Sequence, residues 1–177
     1  MGDTNRFAPP GAQVADVIEQ GVAFQPVRLW PPNGRIGRLR LLAYGAALYL
    51  AFILVSALIG SVAAVTQSRN MVLALSIVAF ALYFIGGLVL IIQRSHDMNL
   101  SGWWSLAAFM PLVGLFWLVK GGTTGVNRWG APPPPNGWAV RIVGLIFPVV
   151  LVVGIVAAIA LPAYVDYTKR AQSGVTR

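Results

Sequence analysis

Cysteine is absent from this 177-residue chain, and ionisable side chains are scarce. The lack of cysteine excludes disulfides and thiol chemistry. Charged residues make up 10% of the sequence, whereas soluble domains carry roughly 25%. Hydrophobic residues make up 57%, so the composition indicates a membrane protein.

Histidine and acidic residues are too few for most catalytic sites. The chain has one His and five Asp or Glu, and three of those acids lie in the N-terminal tail. His96 and Asp97 are adjacent, so on a helix they point about 100° apart and cannot form an acid–base pair with each other. No spacing typical of a zinc or two-metal site occurs. We therefore expect no enzyme and no metal or cofactor.

Basic residues exceed acidic ones and give a net charge of +8. They flank apolar runs instead of lining one face, which is typical of membrane anchors and argues against a nucleic-acid partner. Arg35, Arg38 and Arg40 precede the first apolar run. We expect them to anchor the cytoplasmic end of that helix and to contact the lipid bilayer, including its anionic lipids.

Three apolar runs are long enough to cross a bilayer, and they cover residues 41–65, 71–92 and 142–161. The first two are separated only by the turn TQSRN, which predicts an antiparallel hairpin. A further run, residues 103–119, is at the lower length limit and contains Pro111 and Gly114, so crossing and re-entry both stay open. The prediction is an all-α membrane protein: a helical bundle of three to four transmembrane segments with a disordered N-terminal tail.

The positive-inside rule does not choose between the three-span and four-span versions. With the N-terminus in the cytoplasm, each version leaves nine Lys or Arg inside and four outside. The versions differ in the direction of the last helix, which runs outward only if residues 103–119 re-enter.

A polar cluster lies between the second and third apolar runs and contains Arg94, His96, Asp97 and Ser101. One interpretation is a polar knot that ties the second helix to the third segment. The other is a site for a lipid headgroup or ligand, as in a small transporter, channel or lipid-binding protein, because ionisable residues at such depth are functional candidates. The later stretch GGTTGVNRWG lacks the Gly-Lys-Ser/Thr ending and the preceding strand of a phosphate-binding loop.

Four separated motifs occur in order: GRIGRLRLLAY, RSHDMNLSGWW, Pro111 with Gly114, and GVNRWG followed by prolines. Together they resemble the bacterial inner-membrane family called domain of unknown function eight-hundred-and-five. The resemblance implies a multi-pass inner-membrane domain over residues 33–136, and it brings no established reaction. Its motif loop contains Gly125, Asn127, Arg128 and Gly130. A Pro/Gly-rich tail, residues 1–32, precedes this domain, and residues 137–177 follow it.

The stretch GIVAAIALPAYVDYTKRAQ, which begins at Gly154, is similar to the membrane helix of type IV pilins. The matching positions are Gly154, Ala157, Ala158, Pro162, Tyr164 and Tyr167. This chain has Leu145 where pilins have a glutamate, and Val140–Arg141 in place of their cleavage site. The resemblance implies a helix that packs with type IV pilins or pilus-assembly proteins but is not processed.

Two sequence features give this last helix its expected shape. Gly154 and Ala158 form a small-xxx-small pair that allows close helix approach in lipid. Pro162 predicts a kink, because proline removes a helix hydrogen bond. The alternative is an ordinary last span that ends in a basic tail. The sequence leaves the oligomeric state open.

Overall fold

The computed structural model describes residues 24–175, and this part of the chain is helical. Its elements are α1 (Arg38–Thr66), α2 (Arg69–Asp97), a 3-10 helix (Gly102–Phe109), α3 (Pro111–Val119) and α4 (Trp138–Val175). Within these residues the β structure consists of one isolated bridge, between Asn127 and Gly130. The all-α class is therefore confirmed. Of the tail that we expect to be disordered, residues 1–23 lie outside the described residues.

Three of these helices, α1, α2 and α4, are long and apolar enough to cross a membrane. Helices α1 and α2 have 29 residues each and are joined by Gln67 and Ser68 alone. Gln67 adopts the left-handed conformation with φ 52°, and its backbone N–H donates to the Ala63 carbonyl at 3.0 Å. This left-handed ending reverses the chain at once. The predicted hairpin is formed.

Residues 103–119 do not form a crossing helix. They are divided between the 3-10 helix and α3, which has nine residues and is thus about 14 Å long, far short of the roughly 30 Å of hydrocarbon in a bilayer. Pro111 begins α3, where a missing N–H costs no helix hydrogen bond. Both ends of the stretch therefore lie at the same end of the bundle. We call this end, residues 24–37 and 93–137, the cap.

Helix α1 is central, because it packs against both α2 and α4, whereas α4 packs against α1 alone among the described helices. Near the cap the contact with α4 is close, and a Cβ on Gly144 would lie 2.7 Å from the Leu39 carbonyl oxygen. Tyr49 and Phe147 meet edge to face with ring centroids 6.3 Å apart. Farther along, α4 is exposed from residue 149 to residue 167 apart from Ala157.

Helix α4 continues through Pro162, which lies inside it. The kink expected at this residue stays a prediction.

Basic residues are unevenly distributed along this three-span bundle. Eight of the eleven Lys and Arg in the described region lie in the cap or within four residues of it, and three lie at the other end. We therefore expect the cap in the cytoplasm and the end of α4 outside. A reporter fused after Asn136 should be cytoplasmic and one fused after Arg177 periplasmic. The reverse result, together with a cytoplasmic reporter fused before Met1, would mean that residues 102–119 cross the membrane after all.

Candidate functional site

The centre of the cap is Asp97, the last residue of α2, which lies between two arginines. Arg35 donates to Asp97 Oδ1 from Nε at 3.3 Å and from Nη2 at 3.2 Å. Arg94, one helical turn before Asp97, donates from Nη1 to Oδ2 at 2.5 Å. Arg35 is 2% exposed, Arg94 0% and Asp97 4%. We call these three residues the Arg–Asp–Arg triad.

The remaining donors of the two arginines bind backbone carbonyls of the segment after α2. Arg35 donates to the carbonyls of Gly125 at 2.8 Å, Gly130 at 2.9 Å and Thr123 at 2.7 Å. Arg94 donates to the carbonyl of Trp117 at 2.9 Å and also to that of Lys120. A guanidinium offers five N–H donors in a fixed plane, so one arginine can hold several carbonyls at once.

The motif loop, residues 125–130, is held against the end of α2 by Asn127 and Trp129. Asn127 Nδ2 donates to the His96 carbonyl at 2.9 Å and to Thr123 Oγ1 at 2.8 Å. The Trp129 indole stacks on the His96 imidazole, with ring centroids 3.6 Å apart and 13° between the planes. On its other side, His96 Nδ1 donates to the Gly34 carbonyl at 3.3 Å.

The segment before α1 closes the cap and is tied down by Gln93. Gln93 Nε2 donates to the carbonyls of Arg28 at 2.7 Å and Leu29 at 3.1 Å. The Gln25 backbone N–H donates to the Pro132 carbonyl at 3.0 Å. Ile36, which follows in this segment, is fully buried.

The residues expected to act together differ in how deeply they are buried and in what they bind. Among the three arginines expected as anchors, Arg38 is exposed and donates to the Val119 carbonyl. Arg35 belongs to the triad, and Arg40 is 5% exposed and donates to the carbonyls of Pro134 and Pro135. Ser101 accepts from the Trp103 backbone N–H at the start of the 3-10 helix. It makes no hydrogen bond to the triad.

Sequence reasoning missed a second buried polar pair, which joins α2 to α3. The Trp117 indole N–H donates to Ser95 Oγ at 2.8 Å, and Trp117 is 3% exposed. Trp103 and Trp104 are exposed instead. The signal available was the run of five polar residues that ends α2, Gln93 to Asp97, since polar side chains at the end of an apolar helix need partners.

The polar atoms of the triad form their hydrogen bonds within the protein. Each oxygen of the Asp97 carboxylate accepts from an arginine, and each nitrogen of the two guanidiniums donates to that carboxylate or to a carbonyl of the segment after α2. No group of three or more His, Cys, Asp or Glu that could hold a metal ion occurs in the part of the chain that the structure describes. The arrangement ties three chain segments together.

Residues 29–131, which include the whole triad and the motif loop, match the model of the family described as Protein of unknown function (DUF805). The chain belongs to this family. The resemblance found in the motifs is thus confirmed, and the match ends before α4 begins.

Two relatives carry the printed name Inner membrane protein YhaI, one from Escherichia coli (strain K12) and one from Escherichia coli O157:H7. Each is 34% identical over 96 residues, which cover 48% of this chain and 77% of the relative. No solved structure matches the chain. With three helices of membrane-crossing length, the chain is a multi-pass protein of the bacterial inner membrane.

Removing the Asp97 charge should destabilise the protein strongly. Asp97→Asn leaves two buried arginines without a counter-charge, and breaking a buried ion pair costs about 3–5 kcal/mol of unfolding free energy. Unfolding of the purified protein in detergent measures this loss. Asp166→Asn, at an exposed position of α4, is the control and should change little. Equal stability of the two variants would contradict the central role of the triad.

The cap also predicts different effects at two adjacent glycines. A Cβ on Gly122 would overlap the Asp97 carboxylate, whereas a Cβ on Gly121 would have no atom within 4 Å. Gly122→Ala should lower the unfolding free energy by about 1–3 kcal/mol through overpacking. Gly121→Ala should be nearly neutral by the same unfolding measurement. A reversed order would show that the loop does not approach Asp97 in this way.

Proposed function

We propose that this protein is a non-enzymatic interaction partner of type IV pilins, or of the proteins that assemble them, and that it acts through α4 in the inner membrane. The observation that supports this proposal best is the exposure of α4 from residue 149 onward. The polar groups of the triad are occupied by internal bonds, whereas this helix surface has no partner helix within the described chain.

Two glycines of α4 differ in their surroundings. Gly144 is buried against the Leu39 carbonyl, so it serves the packing of α4 on α1. Gly154 is exposed, and a Cβ there would meet nothing within 4 Å. In lipid, helices associate where small residues allow close approach. Gly154 and Ala158 therefore offer a second packing position, which the rest of the described chain leaves unused.

The direction and length of α4 also suit a pilin-like role. With the cap in the cytoplasm, α4 runs outward, as the membrane helix of a pilin does. It continues as a helix beyond its last long apolar run, from Pro162 to Val175, which adds about 20 Å. This extension carries Tyr164 and Tyr167, which match the pilin pattern.

The departures from the pilin pattern define the kind of partner. A chain with Leu145 and Val140–Arg141 lacks the glutamate and the cleavage site, and its α4 is fixed to α1 through Gly144. Such a helix can pair with a pilin in the membrane but cannot leave with it into a filament. The role proposed is that of a membrane chaperone, reservoir or brake on pilus assembly.

Gly154→Leu tests this role, because the added side chain would block helix approach without touching the rest of the protein. We expect the parent protein to co-purify with the major pilin of the same cell, and Gly154→Leu to recover at least fivefold less. Ala163→Leu is the matched control, since it adds bulk at an exposed position about 180° around the helix. If no pilin or assembly protein accompanies the parent, or if both variants behave alike, the pairing does not occur.

A second candidate is a transport, channel or lipid-binding role of the cluster at the end of α2. Arg94 and Asp97 hold each other and the loop, so their participation would require the triad to open. His96 differs, because its ring borders an open groove on the surface of the bundle. This observation favours a lipid-binding version of the candidate, centred on His96.

A further inference from the structure

A groove of about 360 Å³ runs along α2 at the edge of the cap. Its floor includes Leu88, Ile92 and His96, which are four residues apart and therefore lie on one face of the helix. Leu106 of the 3-10 helix forms part of its rim and is exposed. The volume lies within the roughly 300–1,000 Å³ of small-molecule sites. From His96 to Leu88 the groove descends about 12 Å toward the centre of the membrane.

Two residues that line this groove carry a polar atom without a hydrogen-bond partner in the described part of the chain. Ser105 is 2% exposed, and its hydroxyl makes no hydrogen bond with the residues that the structure describes. The indole Nε1 of Trp129 is buried and has no hydrogen-bond acceptor. A buried donor without an acceptor costs about 1–3 kcal/mol. The Trp129 Nε1 has no exposed surface through which a ligand could reach it, whereas the Ser105 hydroxyl keeps some, so an acceptor atom in the groove can bind at Ser105.

We propose that this groove binds one glycerolipid, with an ester carbonyl accepting a hydrogen bond from the Ser105 hydroxyl and the acyl chain lying along Ile92 and Leu88. The polarity of the groove matches such a molecule, because its polar lining is at the cap and its apolar lining points toward the membrane interior. The groove also runs along α2, which crosses the bilayer in the same sense as the lipid chains.

The chemistry of the lining favours an uncharged acceptor. None of the residues that line the groove is Lys, Arg, Asp or Glu. A phosphate placed there would lose its hydration without gaining an ion pair, which is costly. An ester carbonyl accepts hydrogen bonds without a full charge. Membrane phospholipids and free diacylglycerol both carry such a group, so both are sources of the ligand.

Photo-cross-linking in vesicles tests the proposal with the full-length protein. One arm uses phosphatidylethanolamine vesicles that contain phosphatidylethanolamine with a diazirine on one acyl chain, and the other adds diacylglycerol with the same label. Leu106→Trp should fill the groove from its rim, and Ser105→Ala removes only the hydroxyl. Leu112→Trp, at an exposed position of α3 that does not line the groove, is the matched control.

We expect cross-links to residues 88–106 in the parent and in Leu112→Trp, and at least tenfold fewer in Leu106→Trp. Ser105→Ala should reduce them by about threefold to tenfold, the effect of one hydrogen bond. Labelling by both lipids, or by only one, supports the site and identifies its source. Equal labelling of this segment in the parent and in Leu106→Trp would mean that only the surrounding bilayer lipid contacts it, and would overturn the proposal.

Discussion

The fold of the cap depends on one carboxylate shared by two arginines. Asp97 pairs with Arg94 on its own helix and with Arg35, which is 62 residues away in the sequence. Charges away from water are expensive, and an ion pair repays this cost only when its geometry is good and its other hydrogen-bonding groups are satisfied. Both conditions hold here, because carbonyls of the segment after α2 take the remaining guanidinium donors. The segments before α1 and after α2 thereby close over the end of α2.

The closed cap is the structural part of the protein, and it is distinct from the surfaces that remain available to partners. The triad lies within residues 29–131, which match the family model, and its atoms are turned toward one another. The surfaces that partners can reach border the cap or lie outside it. The groove beside His96 retains the unpaired Ser105 hydroxyl, and the outer part of α4 retains exposed small residues. Both features face the membrane, so lipids and membrane helices are the partners that can reach them.

The sequence was sufficient for the helices, because crossing a bilayer imposes a length and an apolar composition that can be counted directly. The hairpin of α1 and α2 was equally clear, because a turn of so few residues is too short to span the bilayer and the two helices must therefore be antiparallel. It was not sufficient for the partners in the cap. Arg35 stands beside Arg38 and Arg40 in the sequence, so the three were assigned one anchoring role, although only Arg38 is exposed. Pairing across 62 residues is a tertiary contact, and hydropathy and local spacing do not contain it.

The question of residues 103–119 was open for the same reason, and the triad provides the physical answer. The mean hydropathy of a segment is similar whether the segment crosses the membrane or re-enters it from the same side. Arg94 binds the carbonyls of Trp117 and Lys120, which fixes the end of α3 beside the end of α2. If this stretch crossed the membrane, Lys120 would lie roughly 30 Å away, and Nε and Nη2 of Arg94 would be buried without their acceptors. The ion pair therefore determines the number of crossings. Through that number, it determines the direction of α4.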